Sequence, residues 1–227
     1  MNLKPHQTAI LSAVGVGAVS TVVPFISHLF LPVLWLNTHF HELCHAIVAM
    51  ACGADVESIR VFSDGSGVTL IRGGNVFLET SAGYVGASIV GALTIFFSRN
   101  PKSARITLRV LSLALLFSMI LLVRGDWVGI GSGIGWTAAL WGLSYFSGLR
   151  LVFVGQLLGL FQCLNAVQSL YTLLRISAFT EGQSDAMILQ QATGIPALIW
   201  ASIWCLFSLA LVGFTLHRSW TRPALRE

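Results

Sequence analysis

Apolar runs alternate with short polar breaks along almost the whole chain. The first run covers residues 8–23 and stops at Pro24. The second covers 26–51, with Pro32 in its early part, where a helix tolerates proline. Further runs cover 77–97, 106–123, 128–146, 151–174 and 197–216. A helix crossing a bilayer core needs roughly 17–25 apolar residues, which the later runs supply. The first run is shorter and rich in glycine. After Gly53 the period changes. Val56, Ile59, Val61, Val68 and Leu70 punctuate a stretch broken by Ser63-Asp64-Gly65-Ser66-Gly67. Asp-Gly between β-branched runs is a hairpin signal, so strands are predicted near 56–62 and 67–71. The polar stretch 175–196 is the one long late connection. Within it, Ser184 or Asp185 caps a short helix running to about Ala192, closed by Gly194-Ile195-Pro196. The pattern predicts an all-α polytopic membrane protein of six or seven transmembrane helices, a single domain over residues 1–227. A small β-hairpin separates its second and third runs.

Composition agrees with the pattern. The chain is 55% hydrophobic and only 10% charged, against about 25% charged in a typical soluble domain. The net charge of +4 sits in loops and tails, without a basic stripe interleaved with aromatics. This favours membrane lipid headgroups as partner and gives no reason to expect nucleic acid. The positive-inside count places the side carrying Arg99, Lys102, Arg105, Arg150 and the C-terminal tail in the cytoplasm. Cys44, Cys52, Cys163 and Cys205 form no CxxC pair, so packing is their expected role rather than a disulfide framework or a zinc finger. Lys4 precedes an apolar stretch with no small-residue cleavage site, and the segment is expected to be retained.

Against this apolar background a few polar residues stand out. His41-Glu42-Leu43-Cys44-His45 reads H-E-x-x-H within the second run. On a helix His41 and His45 share one face and can grip one metal ion. Glu42 lies about 100° round from His41, within reach of a proton on an attacking water. Such residues are costly in lipid, which makes a functional role the first reading and a hydrogen-bonded packing knot the second. His39 points nearly opposite to His41 and reads as a hydrogen-bonding helix residue. Cys44 lies inside the motif but off the face that the two histidines define. Gly83, Ala87 and Gly91 make a small-residue ridge for a close helix neighbour. The glycines from 129 to 135 lead into Trp136 with no following lysine, so they read as packing positions and not as a phosphate loop. Gln162 and Asn165, three apart, share a face directed into the bundle; they are candidates for substrate contact, with interhelical hydrogen bonding as the alternative.

A catalytic zinc usually takes three protein ligands and a water. The acidic residues available are Asp55, Glu57, Asp64, Glu79, Asp126, Glu181, Asp185 and Glu227. Counting spans puts Asp126 and the Glu181–Asp185 loop on the side where the motif run ends. Asp126 and Asp185 both qualify as third ligand. Asp185 has a helix start to place it, and it reads equally well as a simple cap.

With these residues in hand, the chain resembles the site-2 protease family of intramembrane zinc metalloproteases, and more closely its small, bacterial-type, peptidase-like branch. The matching pieces are His41-Glu42-Leu43-Cys44-His45-Ala46 and the hairpin with Asp64-Gly65-Ser66-Gly67. To these add Ser81-Ala82-Gly83-Tyr84-Val85-Gly86, and Ser184-Asp185-Ala186 followed by Thr193-Gly194-Ile195-Pro196 and Trp200. The resemblance implies Zn2+ as cofactor, His41 and His45 as its ligands, Glu42 as general base and Asp185 as third ligand. It also implies a membrane-protein or peptide substrate and a location in the bacterial plasma membrane. Two departures accompany it: relatives commonly carry glycine where this chain has Cys44, and the Leu-Asp-Gly motif of the larger relatives is missing. The expected function is that of a zinc-dependent intramembrane endopeptidase. The rival is a non-catalytic, metal-binding or protease-like scaffold for single-span partners. A metal transporter ranks third, because polar residues do not line several spans.

Overall fold

A computed structural model describes residues 7–8, 10–15, 31–125, 127–176 and 184–221, with side chains described as far as residue 164 in the helix that ends at Ile176. The helix α1, Leu31–Ala51, is the hub. Pro32 is in its first turn, where the fixed φ of proline suits a helix, and the chain leaves the helix through Gly53, which takes the left-handed conformation with φ 78°. Its middle is buried all round, from Leu36 to Glu42. The chain then forms strands β1, Asp55–Val61, and β2, Gly67–Arg72, paired antiparallel. The loop between them is longer than a two-residue turn. Gly65 holds φ 88°, and Asp64 Oδ1 accepts hydrogen bonds from the Ser66 amide and hydroxyl, which hold the Asp64 carboxyl below its ordinary range.

Five helices follow in the order α2, Val76–Phe97; α3, Pro101–Leu121; α4, Trp127–Leu143; α5, Gly148–Ile176; and α6, Asp185–Thr193. A last helix, α7, covers Ala197–Thr221. The caps explain several boundaries. The side chains of Asn75, Asn100 and Ser184 accept amide hydrogen bonds at the starts of α2, α3 and α6. Gly194, with φ 74°, ends α6.

Among the described residues, three helices are long and apolar enough to cross a membrane: α2, α3 and α7. The expectation of six or seven spans is therefore met only in part. Polar residues in the middle of α1 lower its hydropathy, α4 has 17 residues, and the side chains of α5 are described only over Gly148–Leu164, an apolar stretch. Most of the run 8–23 lies outside the described residues. The outer faces of α2, α3 and α7 leave Leu93, Phe117, Ile120, Leu206 and Phe214 exposed, an apolar surface of the kind lipid covers.

Glycines set the closest helix contacts. Gly91 of α2 and Gly159 of α5 face each other, and a Cβ on Gly159 would come within 2.7 Å of the Gly91 carbonyl. The predicted ridge on α2 is thus shared between two neighbours. Gly83 and Gly86 face α1, whereas Gly91, turned about 80° from Gly83 by eight helical steps, faces α5. In α4, Gly129 and Gly133 make close contacts with β1 and with Met119 and His39, while Gly131 and Gly135 open onto free space.

Candidate metal centre

Three nitrogen and oxygen atoms converge beside α1. His41 Nε2 and His45 Nε2 lie 3.0 Å apart. Asp185 Oδ2 stands 3.1 Å from the first and 3.4 Å from the second. Donors held around a tetrahedral zinc at ~2.0–2.1 Å are separated by about 3.3 Å, so this triangle has the dimensions the ion requires. The donor set, two imidazoles and a carboxylate, is also one that zinc accepts. A carboxylate of Glu42 belongs to the same neighbourhood: with the His41 and His45 ligand atoms it forms a group within 4.8 Å. Asp185 Oδ2 is within hydrogen-bond or ion-pair distance of both imidazoles, and Glu42 Oε2 is engaged by the Thr69 hydroxyl.

Each corner has a local cause. The i, i+4 spacing on α1 stacks the two imidazoles on one face. Gly83 lets α2 press against them; a Cβ at that position would land on both rings. The first turn of α2 also turns the Glu79 carbonyl toward His45, 2.6 Å from Nδ1. A carbonyl only accepts, so Nδ1 carries the proton and Nε2 of the neutral ring presents a lone pair. The Glu79 side chain is occupied in capping α2, with Oε1 accepting from the Asn75 amide at 2.7 Å. Asp185 opens α6 directly after its cap, Ser184. Burial alone would raise the Asp185 carboxyl; the imidazoles of His45 and His41 outweigh burial and hold it below the usual carboxylate range.

The remaining polar residues of α1 go to other partners. Glu42 Oε2 accepts from the Thr69 hydroxyl of β2 at 2.7 Å. Thr38 donates to the Gly65 carbonyl at 2.6 Å, pinning the hairpin loop to the helix. His39 Nε2 lies 3.1 Å from the Ser132 hydroxyl of α4, on the far side of α1, as its angular position predicts. Asn37 Nδ2 donates to the Phe161 carbonyl of α5 at 3.1 Å. Cys44 faces Gly86 of α2, not the imidazole pair.

Of the other residues singled out in the sequence, Gln162 is brought to α1 but one turn short of the histidines. Its Nε2 donates to the Asn37 carbonyl at 3.3 Å, the interhelical alternative. The Asn165 side chain lies outside the described residues, as does Asp126. Thr69 and the Glu79 carbonyl escaped the sequence reading, and Tyr84 figured there only within the Ser81–Gly86 piece, without a role. The Tyr84 ring packs edge-on to His41 with centroids 4.5 Å apart and stacks on Trp204 of α7 at 5.0 Å. Tyr84 follows Gly83 directly, which was a signal available beforehand; nothing in sequence spacing pairs Thr69 with Glu42.

A family model described as Peptidase M50B-like matches residues 12–215. No curated protein and no solved structure matches the chain. The matched range contains every element from α1 to α6 and most of α7, together with the His41, Glu42, His45 and Asp185 cluster just described, and the chain belongs to the peptidase M50B-like family.

Proposed function

We propose that the protein is a zinc-dependent intramembrane endopeptidase that hydrolyses a peptide bond in or near the bilayer. The observation that carries this reading is the triangle of His41 Nε2, His45 Nε2 and Asp185 Oδ2, with sides of 3.0, 3.1 and 3.4 Å, beside the Glu42 carboxylate. His41, His45 and Asp185 hold the metal. Bound there, zinc supplies Lewis-acid chemistry, acidifying a water and polarising a carbonyl. Glu42 accepts a proton from the attacking water and passes it to the leaving amine. His41, Glu42 and His45 are buried where α2 packs against α1.

The substrate is a membrane protein or peptide presented as an extended strand, since a helix hides its amides. The register supports a place for that strand. Ile59 directs its amide and carbonyl away from β2, to Leu122 and Arg124, and Ile59 is the partner of Thr69. Residues opposite one another in a pair that exchanges no hydrogen bonds both turn their polar groups outward. Gly67, Thr69 and Ile71 accordingly point theirs to the outer edge of β2, which no described strand covers. On this reading α1, α4, α5 and the run 8–23 complete six or seven spans in the bacterial plasma membrane, with lipid as the surrounding partner.

The test is cleavage of a model transmembrane peptide by the purified chain, with bound zinc measured alongside. Glu42→Gln is expected to abolish cleavage and keep the metal. A wild-type chain that holds zinc yet leaves every such peptide intact would favour the scaffold; one that binds no zinc would sink both metal readings, the endopeptidase and the metal-binding scaffold.

A further inference from the structure

Glu42 is fixed from the hairpin side. Thr69 Oγ1 stands 2.7 Å from Glu42 Oε2 and 3.0 Å from the Glu42 carbonyl. A hydroxyl has one proton to give, and the carboxylate is the stronger acceptor. Two residues earlier on the same face of β2, Gly67 closes over the same side chain. A Cβ there would come within 2.7 Å of Glu42 Oε1 and 2.9 Å of Cγ. One turn back on α1, Thr38 anchors the loop by donating to the Gly65 carbonyl. The hairpin and the helix therefore meet at three successive points, and Glu42 takes part in two of them. A glutamate has three rotatable bonds, and a base that wanders by an ångström loses much of its effect.

We propose that Thr69 is a positioning residue for Glu42: its hydroxyl, presented by an edge strand that closes over the glutamate, holds one carboxylate oxygen so that the group keeps one orientation beside the histidine pair. The chemical part of this proposal rests on the reading of Glu42 as the general base. Thr69 touches neither metal ligand in the hydrogen-bond pattern, so removing its hydroxyl leaves zinc binding as it was.

The experiment compares the full-length wild type with Thr69→Val, which keeps the shape and removes the hydroxyl, and Thr69→Ser, which keeps the hydroxyl. In peptide cleavage, Thr69→Val is expected to lower kcat by about 10- to 100-fold with KM and zinc content unchanged, and Thr69→Ser to restore it. A kcat for Thr69→Val within twofold of wild type overturns the proposal, as does a Thr69→Ser chain no better than Thr69→Val. Should Thr69→Val not fold, Thr69→Ala removes the same hydroxyl. A second readout needs no activity. The infrared carboxylate stretch of Glu42, identified by its loss in Glu42→Gln, is expected to shift in Thr69→Val and to return in Thr69→Ser. If the wild type cuts nothing, the general-base reading has failed, and this band alone decides on Thr69; a band unmoved in Thr69→Val overturns the contact.

Discussion

Two faces of α1 carry buried histidines, and they differ in what surrounds them. On one face His41 and His45 stand 3.0 Å apart, with the Asp185 carboxylate against both and the Glu79 carbonyl setting the proton on His45. On the other, His39 meets only neutral groups, the Ser132 hydroxyl and the Gly129 backbone, under Gly133 of α4. The residue type is the same and the burial is similar: His39 is 1% exposed, His45 6%. A dication in a buried site is stabilised by negative charge and by lone pairs aimed at one point. Only the first face has both. The difference comes from the neighbours: α2 approaches closely because of Gly83, and α6 begins with an acid.

The comparison is broken most severely at Asp185. Removing the carboxylate with Asp185→Ala is expected to weaken zinc affinity by more than the ~10–100-fold typical of an outer-shell change, measured by competition with a chromophoric chelator. Wild-type affinity in that variant would take Asp185 out of the site. A smaller effect is expected from Gly83→Val, whose side chain collides with both imidazoles. Overpacking of this kind costs about 1–3 kcal/mol, read as a lower Tm, and it should weaken zinc binding as well. Gly131→Val, on a glycine with open space beside it, is the control and should leave zinc affinity unchanged. The smallest effect belongs to the other face. Ser132→Ala removes one hydrogen bond to His39, a loss of about 0.5–1.5 kcal/mol in stability, with zinc binding intact. A fall in zinc affinity in Ser132→Ala would show that the two faces are coupled through α1.

Much of this layout was legible beforehand. The hairpin, the helix from Asp185 and the ends at Gly53 and Gly194 follow from turn and cap chemistry, which is local. The opposed directions of His39 and His41 follow from helical periodicity alone. Span number was less legible, because the α1 run that carries the motif is also the run whose polar residues lower its hydropathy. Partner choice was not legible either. Gln162 and Asn37 are 125 residues apart along the chain, yet the Gln162 amide bonds the Asn37 carbonyl.

Sequence by itself determined which groups this protein can offer: two imidazoles one turn apart, a glutamate beside them, a small-residue ridge at Gly83, Ala87 and Gly91, and an acid at a helix start. Those are consequences of periodicity and local backbone chemistry. Tertiary structure alone decided how the groups were shared out. Asp126 and Asp185 both qualified on spacing, with a helix start favouring Asp185; in the folded chain Asp185 meets His41 from 144 residues away, and Asp126 lies outside the described residues. Thr69 became the partner of Glu42 because β2 folds back onto α1. Such pairings depend on how helices and strands pack in three dimensions, and spacing along the chain carries no information about that.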